Sequence, residues 1–408
     1  MKKKLLAMVM VTTMGLSLVG CGGTEKPTES QATEAAKPAE SPEEKGEEKP
    51  AAELDGQIVI GCLQDITGNT SGLGISVQKG AQAAVDDINK NGGINGKELV
   101  MKTYDTKGDV TEAVNSYITA ATVDKVSLMV GPPVANIANA IKETSEGYDI
   151  PIMGFALDPT CQLKTDGTPY KNMFCFQPSA TSQGRIMAAF ALKNGLKSFG
   201  ILYNQENAYS VSLLDPFKEE LKANNIAVDE NLIVAYGAAD TDYKTLLQPL
   251  VAAGVDAIYC PNYTQQLVAI KTAADELGYE GKLVCGLDAA PAFNTTFGGD
   301  CSNVYYINNI NTDDPTTIEM SNAVADDVSA VNKYFLGYDV VMIAKECIEK
   351  AGLEDIDALR EAISNVTGFE GLTGKITIDP STHMPKDMSM FMYTYDNQIP
   401  VMLGEFGI

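Results

Sequence analysis

Three stretches follow one another between residues 58 and 96: Ile58-Val59-Ile60-Gly61, then Gln64-Asp65-Ile66-Thr67-Gly68-Asn69-Thr70-Ser71-Gly72, then Asp86-Asp87-Ile88-Asn89-Lys90-Asn91-Gly92-Gly93-Ile94-Asn95-Gly96. The first is an apolar run of strand length, and the second is a polar turn. Val77, Ala81, Ala84, Val85 and Ile88 recur at helical spacing, which predicts a helix with one buried face. Gly92 and Gly93 stop it where the backbone needs a positive φ. A second strand, Glu98 to Thr103, closes on Tyr104-Asp105. This is a βαβ opening with a polar loop of ligand size at the carboxyl end of its first strand.

The alternation continues. Asp109 with Glu112 three residues on is a capping-box start for the next helix. Val126–Val130, Ile150–Phe155 and Met173–Gln177 read as strands, with helices over 134–146 and 181–194. In the second half the predicted strands are Phe199–Tyr203, Leu232–Val234, Ala257–Cys260, Leu283–Gly286 and Val304–Ile307. Helices are predicted over 210–224, 242–253 and 265–277, and two or three more between Pro315 and Ser364. Strands near Lys375–Ile378 and Met388–Tyr395 end the chain. Repeated βα units make a mainly parallel sheet with helices on both faces, and two such sheets make two lobes.

Lys2, Lys3 and Lys4 precede an apolar run, Leu5 to Val19, which is short for a membrane span and has the layout of an export signal. The run stops at Leu18-Val19-Gly20-Cys21, which resembles a bacterial lipobox. That resemblance implies cleavage after residue 20 and a lipid on Cys21; an ordinary secretory signal with a chance Cys is the other reading. Residues 22–55 are Glu, Lys, Pro, Ala, Ser and Thr with almost no large apolar side chain, too few to offset the entropy of ordering. As a flexible tether they would span roughly 30 Å.

The formal charge of −24 argues against nucleic acid and against a basic membrane-binding face. Of eight Cys, Cys21 is assigned to the lipid, which leaves an odd number. Cys161 with Cys175, or Cys285 with Cys301, are readable as disulfides of an exported protein or as buried free thiols. No CxxC, GxSxG, GxGxxG, P-loop or HExxH occurs, so no cofactor, metal or enzyme is expected. The lone His383 reads as a surface residue.

In wording and order the opening stretch, above all Ala84 to Gly96, resembles the branched-chain amino-acid-binding proteins of ABC importers. These are type I periplasmic binding proteins, and the resemblance extends to about residue 396. It implies an α/β protein of two Rossmann-like lobes joined by a three-segment hinge. One lobe is expected at 57–178 with 308–380 and the other at 179–307 with 381–408, after a signal at 1–20 and a tether at 21–56. It also implies a monomer outside the cytoplasmic membrane that closes on a small amphoteric solute and delivers it to an ABC permease.

Ligands of open α/β sheets bind beyond the carboxyl ends of the strands. In the first lobe that places Thr70, Ser71 and Leu73 in the first loop, Leu73 standing where the family commonly has an aromatic. Gly131-Pro132-Pro133-Val134-Ala135-Asn136 is the turn that holds the ligand carboxylate in the family. Ala135 fills a position where a hydroxyl is common; Asn136 is readable as a carboxylate donor or as an N-cap. Phe155-Ala156-Leu157-Asp158-Pro159 matches the next turn, with Phe155 either pocket wall or core, and with Leu157 in place of Ser or Thr. In the second lobe Tyr209 and Tyr263 suit closure over a ligand, and Asp288 stands where the family pairs an acid with the ligand ammonium. A branched-chain or other apolar amino acid is the leading ligand class. An amide, a urea-like solute or an aromatic acid is the next, because Leu157 and Ala135 depart from the pattern. A ligand sensor for a membrane receptor is the rival role.

Overall fold

A computed structural model describes residues 54–386, 388 and 390–406. The export-signal stretch, Cys21 and the tether to residue 53 lie outside them.

The first lobe opens with β1 (Gln57–Gln64), α1 (Ser71–Lys90), β2 (Glu98–Asp105) and α2 (Val110–Thr119). It continues with β3 (Met129–Val130), α3 (Ala135–Ser145), β4 (Ile152–Gly154) and β5 (Met173–Cys175). The five strands form one parallel sheet in the order β2-β1-β3-β4-β5. α1 buries Val77, Ala81, Ala84, Val85 and Ile88, the stripe read from the sequence. At its end Gly93, at φ 69°, donates its N–H to the Ile88 carbonyl. Asn89 then exchanges two hydrogen bonds of 2.8 Å with the backbone of Leu99, which fixes where β2 begins. The Asp109 carboxylate accepts from the Glu112 N–H at 2.8 Å, so the predicted cap starts α2.

The second lobe contains α4 (Ala180–Lys193), β6 (Phe199–Asn204), α5 (Ala208–Ala223), β7 (Ile233–Tyr236) and α6 (Tyr243–Ala252). There follow β8 (Ala257–Tyr259), α7 (Thr264–Glu276), β9 (Lys282–Val284), α8 (Pro291–Phe297) and β10 (Val304–Asn308). Three helices come next: α9 (Pro315–Val324), α10 (Val331–Ala351) and α11 (Ile356–Ser364). α10 packs along α1, and its apolar side joins the core of the first lobe.

The end of the chain departs from the expected pair of strands. β11 (Phe369–Gly371), β12 (Gly374–Asp379) and β13 (Met384–Lys386) form a small antiparallel sheet. It lies beside β5, where the Cys175 N–H donates to the His383 carbonyl at 2.9 Å. β14 (Met390–Asp396) and β15 (Ile399–Phe406) then form a hairpin on the edge of the second sheet, whose order is β15-β14-β10-β9-β8-β6-β7. The β10–β14 and β14–β15 pairings are antiparallel and the other pairings of that sheet are parallel, so β14 alone among its described strands runs against the rest.

Two sequence readings of single residues are settled here. His383 is not a surface residue: its ring stacks on Phe174 with centroids 4.2 Å apart. Its Nδ1 faces the carbonyls of Tyr170 and Met173, and burial lowers its pKa. The seven described cysteines are buried free thiols, so neither Cys161–Cys175 nor Cys285–Cys301 is bridged. Instead Cys260 and Cys285, each one residue past the end of the neighbouring parallel strands β8 and β9, face each other with sulfurs 3.5 Å apart.

Candidate functional site

Each parallel sheet reverses its strand order once, beside β1 in the first lobe and beside β6 in the second. A crevice opens beyond the carboxyl ends of the strands at such a point. In the first lobe the loop after β1 is tied down by Asp65, whose carboxylate accepts from the Thr70 N–H at 2.8 Å and the Thr70 hydroxyl at 2.7 Å. After β3 the chain turns at Gly131, at φ 99°, where a Cβ would collide with Gln64. α3 then starts from Val134, an N-cap with no side-chain hydrogen bond. The first-turn N–H groups of a helix have no intrahelical acceptor, and the helix dipole adds positive potential there.

Residues of both lobes line a narrow pocket with room for about 10 Å³. From the first lobe it is lined by Leu73 of α1, Pro133 and Ala135 at the start of α3, Leu157 after β4, Gln177 after β5, and Lys333 in the first turn of α10. Tyr209, Tyr263 and Asp288 line it from the second lobe. That volume holds at most one water, so a solute of amino-acid size enters only when the lobes part. The two tyrosine rings are stacked, with centroids 5.3 Å apart and planes within 7°. Gly286 admits the Tyr209 ring, since a Cβ there would overlap its hydroxyl. The Thr264 hydroxyl donates to the Asp288 carbonyl at 2.9 Å and holds that turn against α7.

Both charged groups of the cavity are buried. Burial pushes the Asp288 carboxyl up to about 6, although the Lys333 ammonium and the Tyr209 hydroxyl both pull it back. Burial lowers the Lys333 pKa, and Asp288 opposes that shift. The Tyr209 hydroxyl is raised by burial and by Asp288, so it stays protonated. It is near enough to Asp288 to act on it, yet it has no partner at hydrogen-bonding distance and angle. Lys333 Nζ donates to Gln177 Oε1 at 3.1 Å, and Gln177 Nε2 donates to the Phe155 carbonyl.

Of the residues singled out in the sequence, the cavity brings together Leu73, Ala135, Leu157, Tyr209, Tyr263 and Asp288. Thr70 serves Asp65, and it lines an open depression of about 190 Å³ next to the start of α3. Ser71 begins α1 without reaching the cavity. The Asn136 side chain ties the lobes together: it donates to the Glu206 carbonyl at 3.2 Å and accepts from the Ala208 N–H at 2.8 Å. Phe155 is core, and Asp158 caps the short turn Pro159–Cys161 while accepting from Asn139 at 3.0 Å. Pro133, Gln177 and Lys333 are additions. Pro133 and Gln177 follow strand ends, which was a usable signal; Lys333 follows no strand. Among the described residues no group of His, Cys, Asp and Glu could hold a metal ion.

Two α/β lobes hinged around a small, partly apolar cavity with opposed charges define a solute-binding protein. Residues 57–398 match the family model described as periplasmic binding protein, and the chain belongs to that family. The Leu/Ile/Val-binding protein BraC3 of Rhizobium johnstonii is 27% identical over 335 residues, covering 80% of this chain and 88% of that relative. The fold is shared with the crystal structure of a leucine binding protein from Thermotoga maritima. The TM-score is 0.77 at 24% identity, over 86% of this chain and 99% of that one. A solute binding protein of R. palustris in complex with 4-hydroxybenzoate has the same fold, with a TM-score of 0.76 at 16% identity, over 86% of this chain and 97% of that one. Membership of this family makes the chain a binding protein and not an enzyme.

Proposed function

We propose that the protein is the extracytoplasmic receptor of an ABC importer and closes its lobes on a branched-chain or other apolar amino acid. The observation that carries this reading is the cavity itself. Asp288 on one lobe faces the uncapped start of α3 on the other, with Leu73 and Leu157 supplying apolar wall. An ammonium goes to Asp288 and a carboxylate to the N–H groups of Ala135–Ile137, so only closure satisfies both ends. The named ligands of the relatives agree with this class. The lobes are taken as 57–178 with 308–386 and 179–307 with 388–406. The pairing of β13 with β12 supports a third crossing after residue 386 over the expected one after residue 380.

A thermal-shift panel tests the reading. Ligand at a hundred times its dissociation constant adds about 2.7 kcal/mol to the stability of the folded state. A panel of amino acids, amides, ureas and hydroxybenzoates with no shift anywhere would rule out a small-solute receptor of this kind. Shifts confined to amides, ureas or aromatic acids would favour the second reading, which the hydroxyl-free Ala135 and Leu157 and the stacked tyrosines support. Permease and ATPase genes beside this one would favour import over sensing.

The lipid anchor belongs to the same proposal. No helix among the described residues is long and apolar enough to cross a membrane. Cys21→Ser is expected to release the protein from the membrane fraction. A variant that sediments with membranes at wild-type mobility would exclude lipidation at this residue.

A further inference from the structure

We propose that Lys333 is the group that meets the ligand's carboxylate, so that an amphoteric carboxylate inserts between Lys333 on the first lobe and Asp288 on the second. The proposal deepens the amino-acid reading above and rests on it.

Lys333 is the only cationic side chain among the described residues lining the cavity, and the residue is 5% exposed. A buried ammonium is costly unless it is paired. It has three donors. Among the described residues it spends them on one hydrogen bond, to the neutral Gln177 Oε1 at 3.1 Å. No hydrogen bond joins it to Asp288, although the two charges act on each other across the cleft. Gln177 is itself anchored on the Phe155 carbonyl, so the ammonium is held at a fixed place with donors to spare.

The other first-lobe side chains on the cavity offer no competing donor for an anion: Leu73, Pro133, Ala135 and Leu157 carry no polar side-chain atom, and the Gln177 amide N–H is engaged by the Phe155 carbonyl. The N–H groups at the start of α3 give direction to the carboxylate, and Lys333 gives it full charge. On the second lobe the Tyr209 hydroxyl is buried and unpartnered beside Asp288, a second polar group for the ligand's other end.

The charge count decides the ligand class. Lys333 and Asp288 sum to zero and come from opposite lobes. A zwitterion placed between them gives each charge an opposite partner and leaves the sum at zero. An amine without a carboxylate leaves Lys333 facing a second cation. A carboxylate without an ammonium leaves Asp288 unpaired, so that it must take up a proton.

The test is titration calorimetry on wild type, Lys333→Met and Lys333→Arg. The probes are L-leucine, L-leucinamide, 4-methylpentanoate, 4-hydroxybenzoate and urea. Met is unbranched and apolar and one atom shorter than Lys, so folding is expected to be retained, and denaturant unfolding checks this. Lys333→Met is expected to weaken L-leucine at least 100-fold, and Lys333→Arg to restore most of that loss. Leucinamide, which has no carboxylate, should bind wild type at least 100-fold more weakly than leucine and should not weaken further in Lys333→Met. Leucine affinity within threefold of wild type in Lys333→Met overturns the role of Lys333 while leaving the amino-acid reading intact. If instead only 4-methylpentanoate or 4-hydroxybenzoate binds, and Lys333→Met abolishes it, the amino-acid reading fails and Lys333 keeps its carboxylate. Binding of leucinamide or urea alone overturns the Lys333 assignment, and silence across all five probes overturns both.

Discussion

Asp288→Asn is expected to weaken binding of a zwitterionic amino acid by about 2–5 kcal/mol, mostly through a faster off-rate. The substitution keeps the shape of the side chain and removes its charge. The loss is that large because the ligand ammonium would be left buried without a counter-charge. Acid should act in the same direction. The Asp288 carboxyl titrates at about 6 in the folded protein, raised by burial against the pull of Lys333 and Tyr209. An ammonium in contact with it binds only the ionised form, so below about pH 6 the ligand must expel a proton. Affinity then falls by up to tenfold per pH unit, whereas from about pH 7 upward Asp288 is ionised and adds no further slope. Stability without ligand runs the other way. Between the ordinary carboxylate value of 3.8 and about 6 the folded state holds more protons than the unfolded one, so stability falls as pH rises through that window. Asp339 titrates in the same range, also raised to about 6 by burial, so stability alone does not isolate Asp288. Asp339 lies outside the cavity, accepting from the Leu372 and Thr373 N–H groups at 2.8 Å, so the pH profile of affinity does isolate it. An affinity that is flat from pH 4.5 to 7.5 in wild type, or unchanged in Asp288→Asn, would exclude Asp288 as the ammonium partner.

The parts of this site that were legible in the sequence are those written locally. The stripe on α1, the Gly92-Gly93 stop and the Asp109 cap each act within a few residues, and each appears where the spacing put it. Tyr209, Tyr263 and Asp288 were legible because a parallel strand ends just before each of them, and such ends point at the crevice. Lys333 was not. It enters at the start of a helix that follows no parallel strand, and α10 reaches the cavity only because it packs along α1. Asn136 looked like a ligand donor or a cap, but its partners, Glu206 before α5 and Ala208 at its start, are 70 and 72 residues away in sequence. The second strand of the final hairpin was hidden by Pro400 and Gly404, residues that an edge strand tolerates and a central one does not. His383 was misread because a single residue carries no periodicity; its stacking on Phe174 depends on the short β12–β13 pairing, which no pattern announces.

The crossing of α1 and α10 is therefore where a remote substitution should reach the ligand. The two helices touch backbone to backbone at Gly80 and Gly337. A methyl on Gly80 would overlap the carbonyl of Tyr334, and one on Gly337 would overlap the carbonyl of Val77. The obstructing atoms are main chain in rigid helices, so neither can swing aside. Alanine in a helix is favoured over glycine by about 1 kcal/mol, which would stabilise both variants if space allowed. Overpacking against immovable atoms costs roughly 1–3 kcal/mol and sometimes more, and here it outweighs the propensity gain. Gly337→Ala and Gly80→Ala should each lose about 2 kcal/mol of stability, read from the shift in urea midpoint at unchanged slope. Both should also weaken ligand binding, because Leu73 lies at one end of α1 and Lys333 lies one turn before Gly337 on α10. Gly147→Ala is the control: its nearest neighbour would be the Thr144 carbonyl at 3.5 Å, an ordinary contact. Gly337→Ala with wild-type stability and wild-type affinity would mean that this crossing does not set the position of Lys333.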